Sequence, residues 1–412
     1  MADNSNAQNQ PGALFGFPKY GTGRRLVPDA GNENLGATPL QNSPVKVQTT
    51  RLDQLDIVQG WKTRCSLTGR YTAGSGKTIT ASPFGIAAAF GDMNVKLQAA
   101  YSTFNLPGPL AALMQGYRPM WGSRNSFSNL ASVDPFAGMV PFVADGADHT
   151  YNFSIDMPVG IKIDEYYNLT ASGDPQQRIM DAIVSPAYMA AQARTVFPSI
   201  PLNAELPAGN TLNAPNAIAL NDSTSTFTNG AFSARIYRDA YWTSNNPAAN
   251  PIQYPWLYTR DYFTQPTNGQ PKVSALIQNT GVSVGQVLSL TGFVWDPDAN
   301  SGFGAVVPFS SISNFEFVTG GSLQNISVSP GQLQDQMFSM HPQLFGVGAW
   351  GVGAFLFDFA LSHDGSYLTN ANAINTYLLN GVSLNISFKS GLTPGSQSVV
   401  YIGVEALKLV TS

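Results

Sequence analysis

The chain has 412 residues, more than one hydrophobic core ordinarily serves, so two globular units or one very large all-β unit are expected. Charged residues make up 11% of it, where about a quarter is usual, hydrophobic residues make up 43%, and the formal net charge is −4. That balance argues against a disordered chain, which pairs low hydrophobicity with high net charge, and against a protein that coats nucleic acid over its whole surface.

Residues 1–44 are rich in Asn, Gln, Gly and Pro and read as an extended N-terminal arm. Within it Leu14, Phe15 and Phe17 stand beside Lys19, Arg24 and Arg25, a pairing of apolar and basic side chains suited to a membrane surface or to an assembly contact. The opening residues lack a charged region followed by an apolar run, so no secretory signal is expected and the chain should stay where it is made. No stretch approaches the roughly 18 uninterrupted apolar residues of a membrane helix; even 347–361 is broken by Gly and Asp.

From Val45 onward, short β-branched and aromatic runs are cut at frequent intervals by Gly, Pro and Asn, the pattern of an all-β sandwich or barrel. In Val45–Thr49, Val95–Gln98 and Tyr151–Met157 apolar and polar residues alternate, so one face of each looks inward. Cys65, the single cysteine, reads as a small buried hydrophobe on a strand, and it excludes an intramolecular disulfide or a multi-cysteine metal cluster.

Two helices interrupt this texture. Ile179, Ile183 and Val184 fall at helical spacing within 176–194, and Leu368, Ala371, Ile374 and Leu378 recur at three and four residues, with Thr369 as N-cap and Gly381 as the stop. A strand run precedes each helix, Tyr151–Met157 and Ala354–Leu361, which hints at an internal duplication. The Pro-, Asn- and Thr-rich stretch 201–229 reads as a linker between a first domain, 45–200, and a second, 230–412.

Several strings imitate chemistry without completing it. Gly74-Ser75-Gly76-Lys77-Thr78 ends like a phosphate-binding loop, but the required first glycine is Tyr71, and 78–83 reads as a strand instead of a helix. Asp296, Asp298 and Asn300 imitate the oxygen ligands of a calcium loop, yet glycine comes at the seventh position and Val307 stands where Glu is needed, so a polar turn is expected and no metal or cofactor is assigned. Ser362-His363-Asp364 holds the residue types of a hydrolase triad, but sequence neighbours cannot converge as nucleophile, base and orienting acid. His149, beside Asp148 in a loop before a strand, has no second His nearby to build a metal site, His341 has an ordinary structural setting, and the sequons at Asn152, Asn168, Asn221, Asn325 and Asn385 follow from the abundance of Asn, Ser and Thr.

The C-terminal runs Gly353–Phe359, Ile374–Tyr377, Asn380–Ile386 and Val400–Leu407 resemble the closing strands of tectivirus-like major capsid proteins, and 150–190 resembles the matching part of the first half. The resemblance implies an all-β fold of two tandem jelly-roll β-sandwiches with a few short helices and long loops. It further implies no enzymatic activity and a homotrimer forming pseudo-hexagonal capsomers of an icosahedral shell. The partners would be neighbouring capsomers, other virion proteins and internal membrane lipids met by the arm. The place would be the virion capsid, after synthesis in the host cytoplasm. Stretches 106–139 and 241–269, rich in Trp, Tyr, Pro and Asn, depart from the family pattern and read as loops, candidates for outer towers. The rival reading is a receptor- or glycan-binding β-sandwich of a virion, with Trp242, Trp256 and Tyr258 as stacking platforms. No carboxylate pair nominates a glycosidase.

Overall fold

The computed structural model describes residues 24–28, 34–39, 45–48, 56–72, 92–97, 101–117, 145–158, 196–202, 226–242, 256–277, 285–299, 305–319, 325–359, 374–376 and 381–409, with positions 75, 83, 84, 87 and 143. The first half runs through β1 (Arg24–Pro28), β2 (Asn34–Pro39), β3 (Val45–Gln48), β4 (Asp56–Thr72), β5 (Asp92–Leu97), β6 (Tyr101–Pro107), α1 (Gly108–Tyr117), β7 (Asp148–Pro158), β8 (Val196–Leu202) and β9 (Thr226–Trp242). The second continues with β10 (Trp256–Pro266), β11 (Lys272–Leu276), β12 (Gly285–Asp296), β13 (Ala305–Val306), β14 (Ile312–Thr319) and β15 (Asn325–Val328). It ends with α2 (Pro330–Met340), β16 (Phe355–Asp358), β17 (Ile374–Asn375), β18 (Val382–Phe388) and β19 (Val399–Leu409).

The pairing pattern is the same twice. In the first half β1, β9, β4 and β7 lie in that order, with β2 also on β9, and β3, β8, β5 and β6 form the second row. In the second half β10, β19, β12 and β16 lie side by side, with β17 also on β12, and β11, β18, β14 and β15 form the other sheet. Counting β1 with β2, and β16 with β17, as one interrupted strand each, and setting aside the two-residue β13 that flanks β12, both halves have the order first-eighth-third-sixth and second-seventh-fourth-fifth. That is the jelly-roll order. Each half also carries a helix between its fifth and sixth strands, α1 and α2.

Period-two burial makes the second sandwich. Val273 and Ala275 of β11 point inward while their neighbours are exposed, and Val400, Ile402, Val404 and Ala406 line the core side of β19. Phe315, Phe317, Phe355 and Phe357 meet between the sheets, with Phe317 and Phe357 edge to face at 4.5 Å. α2 begins with a capping box: the Ser329 hydroxyl accepts from Gln332 N and the Gln332 side chain accepts from Ser329 N, with Pro330 in the first turn.

Several expectations need correction. The stretch read as an extended arm ahead of the first sandwich supplies β1 and β2, which pair with β9, and β9, which begins within the expected linker and runs into the expected second domain, pairs with β4 of the first half. The loop expected over 106–139 begins with α1, and that expected over 241–269 contains all of β10. The helix expected from Leu368 to Leu378 is replaced at its centre by β17, where Ile374 and Asn375 pair with Val287 and Gln286. Ile374 is β-branched and packs on the core cluster, so sheet burial wins over the helical spacing. The helix expected at 176–194 and the strand at 78–83 lie outside the described residues, except for Pro83 in a turn.

Candidate functional site

Because side chains alternate along a strand, the face of β12 and β19 opposite the sandwich core carries Ser289, Thr291 and Phe293 on one strand and Tyr401, Gly403 and Glu405 on the other. In a single sandwich this face would meet water. Here the first half covers it. α1 lies against β12 and β19, Met114 sits over Gly403, and Phe84 packs on Phe293, which in turn stacks on Tyr401 at 5.1 Å. α1 is apolar nearly all round, Leu110-Ala111-Ala112-Leu113-Met114, and its buried residues run from Gly108 to Tyr117 with Pro109 alone half-buried. The sheet itself is continuous across the junction, since β6 runs parallel to β10 with Phe104 opposite Arg260.

One row across this sheet is polar and buried. Strand register sets Arg260 opposite Glu405, Glu405 opposite Ser289, and Ser289 opposite Asp358. Arg260 Nη2 donates to Glu405 Oε1 at 3.4 Å, with the two side chains 3% and 1% exposed. Ser289 Oγ donates to the other carboxylate oxygen at 2.8 Å, which leaves the Tyr117 hydroxyl of α1, 2.8 Å away, to donate to Ser289. The chain Tyr117–Ser289–Glu405–Arg260 therefore links the two halves. Beside it His341 Nε2 lies 3.0 Å from Asp358 Oδ2, both side chains buried, and the His341 ring packs 5.7 Å from that of Tyr117. Asn105 of β6 donates to Asp261 Oδ1 of β10 at 2.9 Å, a second tie between halves.

Chemically this arrangement fixes positions. A buried ion pair gives up hydration that its attraction barely returns, and here hydrogen bonds complete it.

The residues singled out from sequence lie elsewhere. Leu14, Phe15, Phe17 and Lys19 are outside the described residues, while Arg24 and Arg25 lie on β1 opposite Tyr241 and Ala240. Asp296 closes β12, where its carboxylate accepts from Asp298 N at 3.2 Å and Gly395 N at 3.4 Å, the work of a polar turn; Asn300 is outside the described residues. Among the described residues no group of three or more His, Cys, Asp or Glu is placed to hold a metal ion. Of the phosphate-loop string Ser75 alone is described, exposed in a turn, and Ser362, His363 and Asp364 are outside the described residues. His149 meets Asp145 Oδ1 at 2.8 Å; the Ala147 N–H and then His149 hold that carboxyl below its ordinary value. Of the sequon asparagines, Asn152 is exposed on β7, Asn325 opens β15, and Asn385 is buried and donates to Glu316 at 3.1 Å; Asn168 and Asn221 are outside the described residues. Cys65 lies on β4 between Phe153 and Ala234. Trp242, Trp256 and Tyr258 are paired strand residues of β9 and β10.

Two side-by-side jelly rolls joined in this way define a double jelly-roll chain. No protein-family model matches the sequence, and no curated protein matches it. Solved structures do match in fold. The crystal structure of the STIV MCP, from the Sulfolobus turreted icosahedral virus, superposes with a TM-score of 0.54 at 11% identity, covering 95% of this chain and 97% of that one. PBCV-1 VP54, fitted into a reconstruction of the virophage Sputnik, gives 0.55 at 10% identity, covering 95% of each chain. A quasi-atomic PBCV-1 virus capsid gives 0.53 at 10% identity over 95% of this chain and 96% of that one.

Proposed function

We propose that the chain is the major capsid protein of an icosahedral virus, a structural subunit with no catalytic task. The observation that carries the reading is the duplicated jelly roll, bound half to half by α1 and the buried Tyr117–Ser289–Glu405–Arg260 row, in the fold of the capsid chains matched above. The strand pairing supports a division between β9 and β10, with the first jelly roll from β1 to β9 and the second from β10 to β19. The subunit is a homotrimer whose six jelly rolls make a pseudo-hexagonal capsomer, and capsomers tile the shell of a virion assembled from chains made in the host cytoplasm. Few surface charges suit a protein whose sheet edges end up against neighbours. The residues before β1, with Leu14, Phe15, Phe17 and Lys19, reach a neighbouring capsomer, another virion protein or the lipid headgroups beneath the shell. Negative-stain imaging of the purified full chain, with light scattering, tests the reading: pseudo-hexagonal trimers are expected, and a monodisperse monomer at micromolar concentration overturns it.

A further inference from the structure

At one end of the second jelly roll the turn from β10 into β11, the turn from β12 into β13 and the loop from β18 into β19 meet. Thr267 N donates to Ser398 O at 2.8 Å, and the Thr267 hydroxyl and Ser398 N both donate to Gly395 O at 3.1 Å. Asp296 Oδ1 accepts from Asp298 N and its Oδ2 from Gly395 N, so residues 99 apart in the chain are bound across the mouth of the sandwich. What those bonds leave over is acidic. A Cβ built on Gly395 would stand 2.9 Å from Asp298 Oδ2 and 3.3 Å from Asp296 Oδ1, so two carboxylates converge beside a residue without a side chain. The Gly395 backbone is not left-handed, and what the position uses is the missing side chain. Among the described residues the Asp298 carboxylate accepts no hydrogen bond, and neither carboxylate has a cationic partner. Like charges so placed repel unless a cation sits with them.

A second observation points to the same place. Ser398 is fully buried, and its hydroxyl has no hydrogen-bond partner among the described residues. Val294 and Val400 are register partners in the core and Trp295 pairs with Val399, so the next step of the register sets Asp296 beside Ser398 on the core side of the sheet. A buried hydroxyl left alone in this way calls for a partner. An ion held by the neighbouring carboxylates supplies one.

We infer that the Asp296 and Asp298 carboxylates, with the Ser398 hydroxyl, bind one calcium ion at this end of the second jelly roll. The ligands are hard oxygens, charged and neutral, from separate loops. Calcium accepts such an irregular set, whereas magnesium demands near-ideal octahedral geometry. Water completes the coordination on the side of Asp298, which is exposed. The spacing of a calcium loop fails in the sequence because the third ligand comes from the start of β19, which strand order alone brings beside β12. The ion lies within one chain, so it binds whether or not copies assemble, and it ties the ends of β12 and β19 together.

Isothermal titration of calcium chloride into the full chain, stripped of metal by chelator and held at constant ionic strength, tests it. One calcium per chain is expected, with a dissociation constant of about 10⁻⁴–10⁻³ M, the weak end of calcium sites, where ligand charge is low. Millimolar calcium should also raise the melting temperature, since the ion binds the folded chain. Asp298→Asn, at an exposed position, is expected to weaken binding by about tenfold or more. Gly395→Ala removes no charge but puts a methyl group against both carboxylates, so it should weaken binding too, which loose attraction of calcium to an acidic turn would not show. Ser398→Ala should weaken binding through the lost hydroxyl, and Asp335→Asn, exposed on α2, should bind as the parent does. No heat and no rise in melting temperature at millimolar calcium overturns the inference, as do Asp298→Asn and Gly395→Ala proteins that bind like the parent. If Ser398→Ala loses its far-UV circular dichroism signal, Asp298→Asn still decides.

Discussion

Glu405 is a buried carboxylate with two described partners. Its side chain is 1% exposed, and its two oxygens accept from Arg260 and Ser289. Removing one partner of a buried pair leaves the other charge uncompensated, at about 3–5 kcal/mol, whereas replacing both by apolar groups is often neutral. Arg260→Met is therefore expected to lower the unfolding free energy in a denaturant titration by about that amount, and Arg260→Met with Glu405→Leu to recover most of it. The exposed pair on the other sheet behaves differently. Hydrogen bonds from Lys272 at 2.8 Å and Asn385 at 3.1 Å hold the Glu316 carboxyl below its ordinary value. A carboxyl depressed by folding adds stability above its unfolded pKa, about 4.3, and that stability is lost as pH falls through the folded value. Lys272 is 52% exposed, so solvent screening limits the effect. Lys272→Met should reduce the stability difference between neutral and acidic pH by no more than about 1 kcal/mol in paired denaturant titrations. Neither pair was legible in the sequence. A lone Glu in the apolar run Val400–Leu407 stands out, but its Arg partner is 145 residues away, and strand order alone brings them together.

Among elements, strands were easier to read than helices, and the reasons are physical. Tyr151–Met157 and Val400–Leu407 alternate apolar and polar or small residues because one face meets the core, and they lie within β7 and β19. The pairing of Tyr151–Met157 with Ala354–Leu361 touched the duplication, since β7 and β16 are both sixth strands, and the helices described in matching places, α1 and α2, precede those strands. α1 escaped notice because a helix covered on all sides shows no amphipathic period, and because Gly108-Pro109 and Gly116 read as loop punctuation. Glycines in the strands beneath it separate two costs. A Cβ on Gly292 would stand 2.3 Å from the backbone oxygen of Tyr401 and 2.6 Å from the Phe355 ring, so Gly292→Ala must push strands apart. A Cβ on Gly403 would meet Met114 Cε at 2.7 Å, the free end of a flexible side chain. Thermal unfolding followed by circular dichroism should therefore show Gly292→Ala destabilised by about 3 kcal/mol or more and Gly403→Ala by about 1 kcal/mol or less.

At the scale of the molecule the two jelly rolls share elements, and this decides how the chain unfolds. β1 and β2 pair with β9, so removing residues 1–39 strips that sheet of its first strand and should lower the melting temperature. The sequence placed the first sandwich after Pro44 because Gly, Pro and Asn dominate there; pairing with β9, about 200 residues on by the numbering, is a long-range fact that composition does not carry. The junction makes the stronger demand. Met114 belongs to the first half by sequence, is fully buried, and lies over Gly403 of the second. Tyr117 on the same helix holds Ser289, and β6 extends the sheet of β10. If the first half melted alone it would uncover Phe293, Tyr401 and the Arg260–Glu405 pair of the second, and if the second opened first it would uncover Met114 and Tyr117 of α1, so either order exposes area that the intact chain buries. Calorimetry of the full chain should therefore show one transition. Truncating a buried Met to Ala costs about 2–5 kcal/mol, so Met114→Ala should shift that whole transition downward and keep it single. Two heat peaks, of which Met114→Ala moves one, would mean that the halves fold as independent sandwiches and that the buried row only touches at their border.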